Sequence, residues 1–579
     1  METLEPHTEK EISFKRSHKT LEYIKRFSST EKAIFIILIL MALFTSLSLA
    51  KNAAESFMIE MPTEGGTLRE GVIGLPRTVN PVLAVTDADK DLTSLVYSGL
   101  MKYSDGDIIP DLASSYKISE DGLTYTFNLK EDLRFQDGEP LTAEDIAFTI
   151  QKIQDPALKS PRRSDWLNVT VKIVSPRQIE FVLKQPYSPF IANTTFGVLP
   201  KHIWGTVGDE QFIFSQYNIE PVGSGPYRVN NISRDSGGIP TEYSLSTWRG
   251  YHGDKPFITN IQFIYFSDEA KALTALDGGN IDSLSTIAPY DASILAKDKA
   301  QSYEILSSPL PRIFGVYFNQ NQNPALADLA VRRALELSVD RQEIIDKTQN
   351  GYAVAIDSAL PFGLSSSSST VPAQDMQKAI DILEKAGWKK NANGIYEKTV
   401  KTSKTLLSIE LFTADSKDLK ETAELLKTYW SALGVDVNVK VFEASDLYQN
   451  IIRTRKYDAL LFGEFIGKDK DLYAFWHSSQ RNYPGLNIAM YTNSNVDKIL
   501  NDLRNLEDEK EKTKKYAALD TEISKDVPAL FLYAPEFIYA VPKALHAVDL
   551  KDMTVPSDRW NTIDKWYIHT EKVWTFLNR

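Results

Sequence analysis

The chain has 579 residues, a formal net charge of −12 at pH 7 and no cysteine. Its length exceeds what one compact core uses and predicts several domains, while the acidic balance argues against nucleic acid, whose phosphates demand clustered Lys and Arg. The missing thiols exclude disulfides, thiolate metal sites, a cysteine nucleophile and a lipid-modified N-terminal cysteine; 42% hydrophobic and 25% charged residues fit neither disorder nor many membrane spans.

Residues 33–50 read AIFIILILMALFTSLSLA, eighteen positions without a charge. As a helix rising ~1.5 Å per residue, this is just enough to cross ~30 Å of hydrocarbon. Lys10, Lys15, Arg16, Lys19, Lys25, Arg26 and Lys32 precede it, and Lys51 is the only basic residue after it until Arg69. That asymmetry predicts a cytoplasmic tail over 1–32, a transmembrane anchor or signal over 33–50, a linker over 51–63 and everything beyond outside the cell. A cleaved signal peptide ending at Ser48-Leu49-Ala50 is the competing reading. The long leader and an apolar run exceeding the usual signal core of about 7–15 residues favour retention.

Farther along, residues 65–72 predict a first strand leaving a glycine turn. Tyr125, Phe127 and Leu129 alternate with polar residues, the period of a half-buried strand. Thr142 is placed to cap a helix running to Ile153, and 178–183 reads as another strand, ended by the turn Pro186-Tyr187-Ser188-Pro189. One amphipathic helix is predicted over 324–347, with Arg332 and Arg333 on its solvated face. A second helix spans 375–386 and a third 421–433, closed by Gly387 and Gly434 in the position a left-handed cap favours. Val435, Val437, Val439 and Val441 mark a strand, Ser445 a helix cap and 457–462 a further strand, together a parallel crossover unit. The serine run 365–369 reads as a solvated surface loop. The pattern is that of an α/β or α+β protein with several lobes.

Several ordered blocks resemble the large solute-binding proteins of family 5, which serve oligopeptide and dipeptide ABC importers. They are Gly65-Gly-Thr-Leu-Arg69 with Val79-Asn80-Pro81, 121–130 with 135–145, Gly223-Ser-Gly-Pro-Tyr227, 251–256, Gly278-Gly-Asn-Ile-Asp282, and Phe318-Asn319 with 331–335 and Asp340-Arg341. The resemblance implies a two-lobed, periplasmic-binding-protein-like α/β fold of the large three-domain form behind one N-terminal helix. Domain I of lobe one would collect 62–105, 221–308 and 528–579; domain II would be 106–220, and domain III, forming lobe two, 309–527. It further implies a monomer that closes over a peptide or related small solute and passes it unaltered to permease subunits, with no cofactor.

Peptide-binding relatives hold the ligand amine with a carboxylate in a stretch that here reads 457–471. Glu464 stands where a tryptophan is expected, and the usual Asp-Pro is lost at Lys470 or Leu472. Glu464, Asp469 and Asp471 therefore all stay open as amine partners. Thr86 and Asp87 in the loop after the first strand, Asn319 at the cleft edge, Phe465, and Phe475 and Trp476 as apolar walls complete the expected ligand-binding set. An exported hydrolase is the rival class, yet Gly223-Ser224-Gly225 lacks G-x-S-x-G spacing and neither H-E-x-x-H nor a P-loop occurs. The outer histidines His202, His252, His477, His546 and His569 are too scattered to read as a metal motif. A ligand sensor or adhesion module on the same fold, without transport, is the remaining alternative.

Overall fold

The computed structural model describes residues 28–55, 58–104, 106–360, 371–400, 403–467, 471–506, 508–551 and 553–574. They fall into two compact units, the described parts of Met1–Thr63 with His569–Arg579, and Glu64–Ile568.

In the first unit the helix Ser29–Glu55 contains the stretch Ser29–Leu49, of mean hydropathy 2.3 and with none of it buried. Among the described residues it is the one helix long and apolar enough to cross a membrane. The expected linker is partly ordered: Met58–Thr63 is a strand, paired antiparallel with His569–Trp574. Its partner lies at the far end of the chain, so no local pattern announces it.

The second unit is organised around a sheet of twelve described strands. Its spine is the fourteen-residue strand Ala529–Pro542. The first part of this strand pairs with Arg312–Phe318 and the last part with Tyr303–Pro309. Burial changes with the partner. Leu530, Leu532 and Tyr533 join one core with Val316, Leu411 and Trp430, whereas Phe537, Tyr539 and Val541 join another with Leu68, Leu92 and Phe263. Between them Pro535 and Glu536 are only half-buried, beside the break at Leu310-Pro311. Two lobes thus share one strand and are crossed by the chain at these points.

Lobe one also holds a two-stranded sheet, Met101–Ser104 with Asp107–Pro110, and a four-stranded one in the order Ala113–Ile118, Thr124–Leu129, Gln178–Leu183, Val169–Ser175. Residues 124–129 alternate half-buried and buried without exception, as their period predicts. Thr142 caps Ala143–Gln154 as expected, its hydroxyl accepting the Glu144 N–H.

Lobe two departs from expectation in four places. The single helix over 324–347 is two, Leu329–Leu337 and Arg341–Thr348, because Asp340 accepts the Glu343 N–H and starts a new helix. Arg332 is not solvated: it is 4% exposed and donates to the carbonyls of Asp526, Val527 and Leu326, while Arg333 reaches those of Ser524 and Lys525. Glu443, rather than Ser445, caps the turn Ala444–Asp446. The crossover exists with a different neighbour: Asp436–Phe442 and Ala459–Phe465 both run parallel to Ser408–Ala414, one on each side of it. Gly434 closes Lys417–Leu433 at φ +112°, where only glycine is unstrained. The serine run lies outside the described residues.

Candidate ligand cleft

Construction begins with the helix Asp87–Val96. Thr86 accepts the Asp89 N–H at 3.1 Å, and the Asp89 carboxylate accepts the Thr86 N–H at 3.1 Å, a reciprocal cap. Asp89 also accepts the N–H groups of Arg77 (2.6 Å) and Thr78 (2.9 Å), folding the preceding loop back. Leu92, Leu95 and Val96 enter the core. Lys90, Thr93, Ser94 and Tyr97, spaced i, i+3, i+4, i+7, line a cleft of about 540 Å³. That volume lies within the ~300–1,000 Å³ of small-molecule sites.

The adjoining wall is the segment Pro556–Lys565. Fully buried Arg559 fastens it by donating to Asp91 at 2.8 and 2.7 Å and to Glu70 at 2.9 Å. Tyr539 donates to Glu70 at 2.8 Å and Trp560 to Asp91 at 3.2 Å. Two carboxylates share one guanidinium, and burial lifts Asp91 to about 6 against the pull of Arg559. Glycine makes the third side possible: a Cβ on Gly223 would sit 2.0 Å from the Val96 carbonyl oxygen. The Gln136 amide donates to the carbonyls of Val96, Gly225 and Tyr227 where the segments meet.

The four-stranded side contributes Arg162 and Asp165, at the start of and within the short helix Arg163–Trp166, and the loop before it is pinned by the Ser160 hydroxyl donating to the Val82 carbonyl at 2.7 Å. Phe465 and Gly467 reach the cleft from lobe two, with the Arg312 guanidinium 5.7 Å from the Phe465 ring centroid. Asp111 also lines the cleft, but is paired with His252 at 2.8 Å, both side chains under a tenth exposed.

Electrostatically the cleft is mixed, with Lys90, Lys102 and Arg162 alongside Asp165, Asp254 and Asp564. Arg162 is water-exposed, and its guanidinium forms no hydrogen bond or ion pair among the described residues. Protein walls around it nevertheless make desolvation the dominant influence, which lowers its pKa against the opposing pull of Asp165. The same desolvation raises Asp165 and Asp564, opposed by Ser164 and Lys102 respectively. Such groups favour a counter-charge: a planar guanidinium suits a carboxylate, and a carboxylate an ammonium.

Of the expected residues that are described, the structure brings only Phe465 to this cleft. Thr86 is a helix cap and Asp87 an exposed first-turn residue. Asn319 is 1% exposed and donates to the Arg455 carbonyl, anchoring its own turn. Glu464 points into the lobe-two core at 6% exposure, where burial lifts it to about 8 despite the nearby Tyr317 hydroxyl and Arg455. Asp471 is held by Arg504 at 2.6 Å. Phe475 and Trp476 belong to the same core, and Asp469 lies outside the described residues. Sequence reasoning missed Arg162, Asp165 and Asp564, which no motif marks, and Asp254, which lies in the 251–256 block without being singled out; only the fold gathers them. Among the described residues no group of three or more His, Asp or Glu is placed to hold a metal ion.

Two lobes joined by a shared strand, with a cleft of small-solute size lined by polar and charged groups, define a binding protein of the periplasmic type. The chain belongs to the bacterial extracellular solute-binding proteins, family 5, whose "Middle" model matches residues 107–483. It is 26% identical over 555 residues to the oligopeptide-binding protein AppA of Bacillus subtilis, covering 92% of this chain and 97% of AppA. AppA solved in complex with a nonapeptide superposes with a TM-score of 0.64 at 26% identity, covering 88% of this chain and 100% of that one. The substrate-binding protein CtaP of Listeria monocytogenes gives a TM-score of 0.73 at 27% identity, covering 87% of this chain and 99% of CtaP. The nickel-binding periplasmic protein of Escherichia coli K12 is 30% identical over 407 residues, 66% of this chain and 72% of its own.

Proposed function

We propose that this protein is the membrane-anchored, extracytoplasmic capture subunit of an ABC importer for peptides or a closely related small solute. The helix Ser29–Glu55 holds it at the outer face with residues 1–32 in the cytoplasm, as the basic residues before the apolar run suggest. Domain I (62–105, 221–308, 528–579) and domain II (106–220) form the lobe that carries most of the cleft, and domain III (309–527) swings over it. Movement is confined to the crossings at Leu310-Pro311 and Pro535-Glu536, where Pro535 and Glu536 interrupt the burial of the shared strand. Closure expels water and strengthens the cleft's charges, and a ligand shifts the population only because it binds the closed form better.

The observation that carries this reading is that Arg162, Asp165, Asp254 and Asp564 all line one small-solute cavity, a set suited to a ligand bearing both a carboxylate and an amine. AppA, bound to a nonapeptide in its own structure, supports the peptide class. The test uses full-length protein in detergent, with a casein digest as ligand source, mass spectrometry of what co-purifies and thermal denaturation as readouts. Peptides are expected in the released fraction and a rise of several degrees in Tm on re-addition, with Arg162→Ala weakening binding ~10-fold or more. Absence of any retained peptide together with an unmoved Tm would refute the reading.

A further inference from the structure

The last turn of the helix Ser494–Asn505 carries Arg504. The helix is rooted in lobe two through Val496, Leu500 and Leu503. Arg504 donates from Nε and Nη2 to one oxygen of Asp471, at 2.8 and 2.6 Å. The other Asp471 oxygen accepts the Tyr473 N–H at 3.0 Å. This fork holds the guanidinium over the Tyr473 ring, 3.8 Å from its centroid, and Tyr473 is itself stacked on His477 with centroids 4.1 Å apart. The other neighbour of Arg504 is the ring of Tyr187, 6.0 Å away, and Tyr187 packs against the core of lobe one. One cation therefore stands between an aromatic ring of each lobe.

The position is not incidental to the cleft. Asp471 ends the segment whose Phe465 and Gly467 line the cavity, and Tyr187 opens the turn Ser188–Thr195, whose Ala192, Asn193 and Thr195 line it from the other side. We propose that Arg504 is a positioning residue that clasps the two lobes across the cleft, using Asp471 to hold its guanidinium against Tyr187. The clasp would exist without solute and set how far the empty protein is already closed. A cation beside a half-buried aromatic ring is a modest interaction. Its loss is expected to change the open-to-closed ratio roughly threefold to tenfold rather than abolish closure.

Because the chain contains no cysteine, Lys172→Cys and Ser431→Cys, both at exposed positions of the two lobes, allow a spin-label pair in the full-length protein. Inter-label distances are read by pulsed electron paramagnetic resonance, with and without a casein digest. Arg504→Ala is expected to move population from the shorter to the longer distance, Arg504→Lys to restore it partly, and Tyr187→Ala, which leaves the Asp471 pair intact, to reproduce the shift. A distribution identical to the parent's in both alanine variants overturns the clasp, whatever their melting temperatures. The solute reading fails separately: a parent distribution unmoved by digest, with alanine variants that open, keeps the clasp and removes the ligand; a parent that closes on digest, with unaltered variants, does the reverse.

Discussion

At the scale of single residues, burial decides what a side chain can do, and Glu464 shows it most sharply. In sequence it stands in the stretch expected to meet a ligand amine, yet it points into a core built of Ile313, Tyr317 and Leu460. Its carboxyl is raised from 4.5 to about 8 because burial disfavours the charged form. The folded chain thus keeps a proton that the unfolded chain releases, so Glu464 makes stability fall as pH rises from about 4.5 to about 8 and adds no further loss above that. Glu464→Gln is expected to flatten this. The stability difference between variant and parent, from urea denaturation, should shift in the variant's favour by roughly 3–4 kcal/mol between about pH 5 and pH 8. An unchanged difference across that range would place the carboxyl in contact with water. Which acidic residue faces solvent was not legible in 457–471, where strand alternation, loop position and charge all allow either answer.

Secondary-structure elements were legible wherever local periodicity and capping agreed. Residues 124–129 and 178–183 alternate in sequence and in burial alike, because a strand with one buried face has no other register available. The helix over 324–347 was misread as one because its apolar spacing carries through, but Asp340 offers its carboxylate to a fresh set of free N–H groups and wins locally. Thr86 is the same effect in the opposite direction, a polar loop residue that suggests a ligand contact and serves instead as a cap. Thr86→Ala is expected to cost ~1 kcal/mol, seen as a lower urea midpoint with an unchanged slope. No loss of stability would mean that Asp89 alone secures the start of that helix.

For the whole molecule, the decisive contacts join segments hundreds of positions apart. Arg559 ties Glu70 and Asp91 together at sequence separations of 489 and 468, and Arg69 of the Gly65–Arg69 block meets Asp282 of the Gly278–Asp282 block at 2.6 Å. The first of these arrangements sets the cleft wall. Removing the guanidinium leaves two buried carboxylates without a counter-charge, so Arg559→Met is expected to destabilise the protein by ~3–5 kcal/mol. Adding Asp91→Asn to it should recover part of the loss, measured by denaturation as a double-mutant cycle. Strict additivity of the two substitutions would show that the groups do not act as a unit.

What the sequence alone determined was the order of its parts: an uncharged apolar run flanked by basic residues, alternating strands, capped helices and the spaced blocks that identify the family. Each rests on neighbours a few positions apart, where hydrogen-bond geometry and amphipathic period leave a readable trace. The cleft was decided only by tertiary structure. Its charged lining from Arg162 to Asp564, the strand shared by both lobes and the pairing of 58–63 with 569–574 all depend on which distant backbone comes alongside, and burial sets the charge state of the groups so assembled.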